Sequence, residues 1–221
     1  MERKALQLVT GIIVLFAGAL HGEEGWRLAR AEQDIEVSTR VVEGSPIAET
    51  RGVMKLEGVT LKAAVALIAD VPHQHEWIDS MDESRVLVVI SPVEQINYTL
   101  SKAPWPVADR DAVVRSRFTF DKEKGVARVE THAEPDYIPQ RDGVVRIRKV
   151  DSSWTVTRLS DNEIEVRYQV HSEPGGNLPA WLVNRIIYEQ PFATLLNLRE
   201  QVKQAKYRDA QLDAVDGVAV E

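Results

Sequence analysis

The side chains best suited to chemistry are five histidines and one acid–base–acid triplet. His73 and His75 are two residues apart, which suits one edge of a metal site. No acid or third histidine at helical spacing completes that site, and His21, His132 and His171 are scattered along the chain. Asp109 and Asp111 flank Arg110, a pattern that reads as a local ion-pair corner. Ser45, in Gly44-Ser45-Pro46, lacks the strand–turn–helix pattern of a nucleophile elbow. No pair of carboxylates stands in an apolar context that would raise a pKa. There is no cysteine, which excludes disulfides, thiolate catalysis and cysteine–metal sites. These residue types call for no metal and no cofactor, and they point away from catalysis.

The elements that hold these residues come from a chain of 221 residues, 44% apolar and 28% charged. That composition suits one large domain with a sizeable core. A net charge of −7 argues against nucleic acid as a partner, since no excess of Lys and Arg exists to neutralise phosphates. Arg3 and Lys4 precede an apolar stretch over 5–20, which ends in Ala17-Gly18-Ala19. A basic start, an apolar run and a small-x-small site read as a secretory signal over 1–22. An uncleaved anchor is the alternative, because the run is close to the length of a membrane span. Either way the folded part is expected outside the cytoplasm, periplasmic or secreted.

Beyond residue 25 the pattern is α+β. A short helix is expected over 25–32, then strands over 35–42 and 47–56 on either side of Gly44-Ser45-Pro46. Thr60 caps a helix over 61–69. A loop carrying His73, His75 and Trp77 leads to strands over 85–90, 94–101, 112–120, 126–133, 144–150, 154–159 and 163–171. Their turn-like connections, such as 121–125 and 151–153, imply an antiparallel meander. Pro104 and Pro106 bracket Trp105 on a stiff connector, where that ring needs a packing partner. One long helix is expected over 179–206, kinked at Pro191, followed by a fraying acidic tail over 207–221.

Alternation splits the strands into two faces. Val114, Ser116, Phe118 and Phe120 oppose Arg115, Arg117 and Thr119; Ala127, Val129, Thr131 and Ala133 oppose Arg128, Glu130 and His132. Val145 and Ile147 likewise oppose Arg146 and Arg148. The charged face is expected to be solvated. The apolar face, with hydroxyls at Ser116 and Thr131, suits either a packed core or a gap between the sheet and the long helix. That helix has two apolar faces, one on Trp181, Tyr188, Leu195 and Val202, the other on Val183, Ile187, Thr194 and Leu198. Trp77, Trp105 and Trp181 would be buried or would mark a contact patch. The sequon Asn97-Tyr98-Thr99 lies within an expected strand and is read as chance.

Four words along the chain carry a family resemblance. They are His75-Glu76-Trp77, Pro104-Trp105-Pro106 with Asp109-Arg110-Asp111, Tyr137-Ile138-Pro139 leading to Gly143-Val144-Val145-Arg146-Ile147, and Gly175-Gly176-Asn177-Leu178-Pro179 followed by Asn184. In this order, over about 25–206, the chain resembles the START (StAR-related lipid transfer) family. The resemblance implies a helix-grip fold, in which a curved antiparallel sheet wraps a long C-terminal helix. It also implies a tunnel for one lipid, transient membrane contact, action as a monomer and no catalysis. The tunnel contacts would be Val114, Ser116, Phe118, Val129, Thr131 and Ile147 on the sheet and Val183, Ile187, Thr194 and Leu198 on the helix. The loop over 136–139 resembles the family's lid. Sterol-binding members carry a buried acid–arginine pair; here the arginine's place falls at Ser116, and 97–100 supplies no acid. Sterol, phospholipid and fatty acid all stay open as ligands. The rival readings are a cyclase-like enzyme on the same fold and an extracytoplasmic scaffold with a collapsed tunnel.

Overall fold

A computed structural model describes residues 25–210; the expected signal or anchor over 1–22 and most of the acidic tail lie outside the described residues. The described chain opens as a hairpin, where the sequence suggests a helix. Arg27–Glu32 (β1) pairs antiparallel with Ile35–Arg40 (β2). Gln33 and Asp34 turn the chain with φ of 52° and 58°, the mirror-image turn whose twist matches that of paired strands. Helix propensity differs by only about 0.7 kcal/mol per residue among ordinary side chains, so the ladder to β2 overrides it. Trp26 is held between the guanidinium groups of Arg40 and Arg51, 4.6 and 4.3 Å from its ring centre.

Glu49–Glu57 (β3) follows, then the helix Leu61–Ala69 (α1) with the expected bounds. Thr60 Oγ1 accepts the Ala63 N–H at 3.2 Å and caps it. A 3-10 turn, Val71–Glu76, leads into Met81–Ser91 (β4), Glu94–Ser101 (β5), Arg110–Asp121 (β6) and Val126–Ala133 (β7). The short Val145–Arg146 (β8) runs parallel beside β6, before Lys149–Ser160 (β9) and Glu163–Glu173 (β10). The sheet has ten strands in the order β1-β2-β3-β10-β9-β7-β6-β5-β4, with β8 off that path.

β9 runs through 151–153, which the sequence presents as a turn. Asp151 and Ser153 face outward opposite His132 and Glu130, and His132 Nδ1 lies 2.7 Å from Asp151 Oδ1. Ser152 faces the other way, opposite Thr131. A polar triplet is tolerated in mid-strand because both of its surroundings are polar.

The C-terminal rod is interrupted just ahead of Pro191, as a kink there predicts, and Ile187 and Tyr188 keep right-handed helical backbone angles between its two segments. Ala180–Ile186 (α2) ends at Ile187, and Glu189–Gln201 (α3) starts two residues later. Pro191 explains the break: it has no N–H for the Ile187 carbonyl, and its ring would clash there. Placed in the first turn of α3, it lacks only a donor that would have no helical partner. Asn184 ties α2 to the sheet side, accepting the Ala48 N–H at 2.9 Å and donating to the Pro46 carbonyl at 2.8 Å.

α3 lies on β3 where Gly52 leaves room. A Cβ on Gly52 would stand 2.5 Å from Leu195 Cδ1, and Leu195 is fully buried. Gly52→Ala is therefore expected to cost about 1–3 kcal/mol through overpacking, read as a lower urea midpoint.

A last turn, Ala205–Arg208 (α4), extends the fold past 206. Tyr207, assigned to the frayed tail by sequence, is buried and donates to Asp70 Oδ2 at 3.0 Å. Lys206 Nζ reaches the same oxygen at 2.5 Å, and His73 Nδ1 lies 2.8 Å from Oδ1. Burial opposes ionisation of Asp70, but hydrogen bonds from Lys206, His73 and Tyr207 outweigh it and hold the carboxyl below its usual range. A depressed folded pKa contributes stability that is present above the unfolded value of about 3.9 and is lost as pH falls through the folded one. Asp70→Asn should thus lower the urea midpoint at pH 6, and the gap to the parent should narrow at pH 3.

The core divides in two. The larger part lies between the sheet's inner face and α1 and α3, around Trp77, Trp154, Leu195 and Leu198. A smaller part, Ile96, Tyr98, Leu100 and Val113, lies on the outer side of β5 and β6 under Ile138 and Val144.

Candidate functional site

Between the inner face of the sheet, α1, the 3-10 turn and α3 lies a cavity of about 600 Å³. That volume falls within the range of about 300–1,000 Å³ typical of small-molecule sites. α1 contributes Val65 and Ile68, and α3 contributes Gln190. The strands supply most of the rest of the wall.

All six sheet residues expected at a ligand line this space: Val114, Ser116, Phe118, Val129, Thr131 and Ile147. The four helix residues are not among its lining residues. Leu198 is fully buried in the main core. Thr194 Oγ1 accepts the Asp79 N–H at 3.1 Å and a Gln190 side-chain N–H at 3.0 Å. Val183 lies on α2 and Ile187 at its end, ahead of the segment that approaches the cavity. α3 lines the cavity through Gln190 and otherwise closes it by fastening its neighbour. Asn197 also donates to the Trp77 carbonyl at 3.0 Å, holding the segment ahead of β4.

Sequence reasoning missed Asn97, Gln95, Ser152, Trp154 and Tyr168 on the wall. The signal for Asn97 was available: Ile96, Tyr98 and Leu100 alternate with Asn97, Thr99 and Ser101, and the first set packs outward. The polar set therefore faces the cavity. Tyr168 stacks on Trp154 with ring centres 4.1 Å apart, and Trp77 meets Trp154 edge-on at 5.6 Å. Burial pushes the Tyr168 hydroxyl up to about 12, so it stays neutral at physiological pH.

Polar groups form a row across the inner face. Gln95, Ser116, Thr131 and Ser152 stand opposite one another on β5, β6, β7 and β9. Ser116 Oγ lies 3.1 Å from Thr131 Oγ1 and accepts an Asn97 side-chain N–H at 3.2 Å. Of the ionisable groups on the wall, Glu94 binds Arg115 at 2.9 Å and Asp79 accepts from the Ser80 hydroxyl at 2.8 Å. Among the described residues that line the cavity there is no Lys, Arg or His.

The triplet 109–111 is not a local ion pair. Asp109 takes the Ala103 N–H at 3.1 Å and Lys102 Nζ at 3.2 Å. Arg110 donates to the Ala108 carbonyl. Asp111 reaches across to Arg146 and forms a bidentate pair at 2.8 and 3.0 Å, in which the two side chains are 0% and 3% exposed. The Arg146 guanidinium also donates to the carbonyls of Pro135 at 2.6 Å, Ile138 at 3.2 Å and Pro139 at 3.4 Å. This corrects the expectation that Arg146 is solvated. It also relocates the lid-like loop. Residues 135–139 are pinned over the outer core, and no described residue from 134–146 lines the cavity.

Trp77 is buried, whereas Trp105 and Trp181 are 93% and 67% exposed, so Trp105 finds no packing partner. His73 and His75 have separate partners, Asp70 and Ser84. No group of three His, Cys, Asp or Glu suited to a metal occurs among the described residues. No helix among them is long and apolar enough to cross a membrane.

The START domain family model matches residues 12–206. The uncharacterized protein PA1579 of Pseudomonas aeruginosa is 32% identical over 183 residues, which cover 82% of this chain and 88% of that protein. The phosphatidylcholine transfer protein of Mus musculus is 24% identical over 170 residues, 75% of this chain and 78% of that one. The STAR-related lipid transfer protein of Xanthomonas axonopodis superposes with a TM-score of 0.75 at 36% identity, covering 82% of this chain and 100% of that fragment. Human StAR-related lipid transfer protein 5 gives a TM-score of 0.74 at 18% identity over 83% of this chain and 89% of its own, a likeness of fold alone. The sheet, the closing helix and the cavity between them are thus those of a known architecture, and this chain belongs to the START domain family.

Proposed function

We propose that the protein binds one lipid in this cavity and carries it between membranes without altering it. The cavity itself carries the reading. About 600 Å³ between the sheet and its helices is room that side chains fill in an ordinary close-packed core. Apolar side chains make up the larger share of the wall, with hydroxyl and amide groups set among them. An acyl chain placed there contributes about 0.8 kcal/mol per buried methylene. The names of the mouse and Xanthomonas relatives point the same way.

The ionisable wall residues do not form an acid–base pair. Glu94 is held by Arg115, and Tyr168 is neutral. The Ser80 hydroxyl donates to Asp79 on the wall, but no His or Lys among the described lining residues stands beside it as a base, which favours carriage over catalysis. The exposed rings of Trp105 and Trp181 suit transient contact with a membrane interface. The lining residues of the cavity all come from one chain, so action as a monomer suffices. The basic and apolar start of the chain favours a site of action outside the cytoplasm.

Native mass spectrometry of freshly purified protein, followed by lipid extraction, tests the reading. The expected result is one co-purifying lipid per chain and transfer of a fluorescent lipid between vesicles. Protein that carries no lipid and takes up none would overturn it.

A further inference from the structure

The inner face of the sheet loses its cover toward the turn between β4 and β5. Ser84, Val86 and Val89 on β4 stand opposite Thr99, Asn97 and Gln95 of β5. Opposite residues of a ladder point to the same side, so all three belong to the cavity's side of the sheet. Ser84 accepts the His75 N–H at 3.1 Å, lies against the 3-10 turn and is 7% exposed. Val89, further along the strand, lines the cavity and yet is 65% exposed. Among the described residues it is the only large apolar side chain that is both exposed and on the wall. Pro92, in the turn itself, is also exposed and on the wall. β6 follows the same trend: Ala112 and Val114 are buried, whereas Ser116 and Phe118 are half-buried.

The other end of the sheet is closed. Arg110, which precedes Ala112 and Val114 on the same face, is buried. A Cβ on Gly176 would stand 3.6 Å from Arg110 Nη2, and one on Gly175 3.3 Å from Val145 Cγ1, so the turn ahead of α2 packs onto that end. The turn between β4 and β5 is held in place too, since the Phe118 N–H donates to the Val93 carbonyl at 2.8 Å. It frames an opening rather than covering one.

We infer that the mouth of the cavity lies at the β4–β5 turn and that the guest enters and leaves there, past Val89. The inference rests on the carrier reading and adds the route. An acyl chain that slides over Val89 and Pro92 keeps apolar surface beside it, so less of it meets water on the way. Trp105 and the loop over 135–139 follow the opposite ends of β5 and β7, so membrane contact through Trp105 is a separate step from passage of the guest.

The chain has no cysteine, so a single introduced one takes a thiol label alone. Val89→Cys is loaded with a fluorescent lipid and then labelled with a bulky methanethiosulfonate. Release is followed with methyl-β-cyclodextrin as acceptor, so that no membrane enters the measurement. The label is expected to slow release by about tenfold or more, with the lipid still held at one per chain, and reductant should restore the rate. Tyr137→Cys, labelled in the same way, is expected to release within about twofold of the parent. Unchanged release from labelled Val89→Cys would overturn the inference, and so would slowing by the Tyr137 label. Expulsion of the lipid on labelling would overturn it as well, because Val89 would then lie within the guest's own volume rather than at its exit. Each of these results leaves the carrier reading standing. Parent protein that takes up no lipid at all would overturn the carrier reading itself.

Discussion

Asp111→Ala is expected to destabilise the protein by about 3–5 kcal/mol, the usual cost of removing one partner from a buried ion pair. The Arg146 guanidinium would stay behind in the outer core, 3% exposed and without its carboxylate. The arginine cannot escape by neutralising, because a guanidinium stays protonated throughout the physiological range even without its partner. The damage should spread beyond the pair. Arg146 spends its remaining donors on the carbonyls of Pro135, Ile138 and Pro139, and Ile138 covers Val113 and Tyr98. A misplaced guanidinium releases that loop, so limited proteolysis should cut first within 134–144. Arg146→Lys should also destabilise, because an ammonium cannot span both carboxylate oxygens and these carbonyls at once. Urea unfolding at pH 7 measures the loss. A midpoint within about 0.5 kcal/mol of the parent would show that the pair is incidental to the fold.

This pair also shows how far the sequence could be read. Asp109-Arg110-Asp111 is visible as a charged triplet, and its proximity in sequence suggests an internal ion pair. The acids actually face opposite duties, because neighbours on a strand point to opposite sides. Asp111 and Val113 share the outer face of β6, and that face is covered only because residues 134–148 fold back over it. Alternation correctly sorted the residues of β6 and β7 into two faces. It could not say that the charged face would be buried in one place, since that depends on a loop with no periodicity.

The wall of the cavity was legible where strands alternate cleanly. Val114, Ser116 and Phe118 on β6 and Val129 and Thr131 on β7 follow from a period of two. Ser152 was not legible, because a polar triplet in mid-strand has the composition of a turn. Only the hydroxyl row beside it makes that residue suitable for a strand. The helix side failed for a different reason. Periodicity groups residues on one face of the rod, but it does not say which wall that face meets, and the rod is interrupted ahead of Pro191. Thr194 and Leu198 kept their common face, yet that face meets the core and the chain at Asp79 rather than the cavity.

Val129→Trp is expected to lower lipid transfer between vesicles by at least tenfold while leaving the urea midpoint within about 1 kcal/mol of the parent. Val129 lies in the middle of the wall, opposite Phe118 on β6 and Trp154 on β9. An indole there would project into space that an acyl chain needs, and it would meet aromatic rings with which it can pack. In a filled core the same change would overpack and unfold the protein; in an open cavity the added ring finds room and gains dispersion contacts. Stability and transfer therefore separate the two situations. Arg128→Trp is the control, since it adds the same ring one residue away on the outer face, where the parent arginine is half exposed beside Glu130. Its transfer rate should stay within twofold of the parent. If Val129→Trp unfolds the chain, the interior at β7 is packed solid. If it folds and transfers normally, the lipid travels by a route other than this cavity. A stable protein that no longer transfers places the lipid against β7, beside the hydroxyls of Ser116 and Thr131.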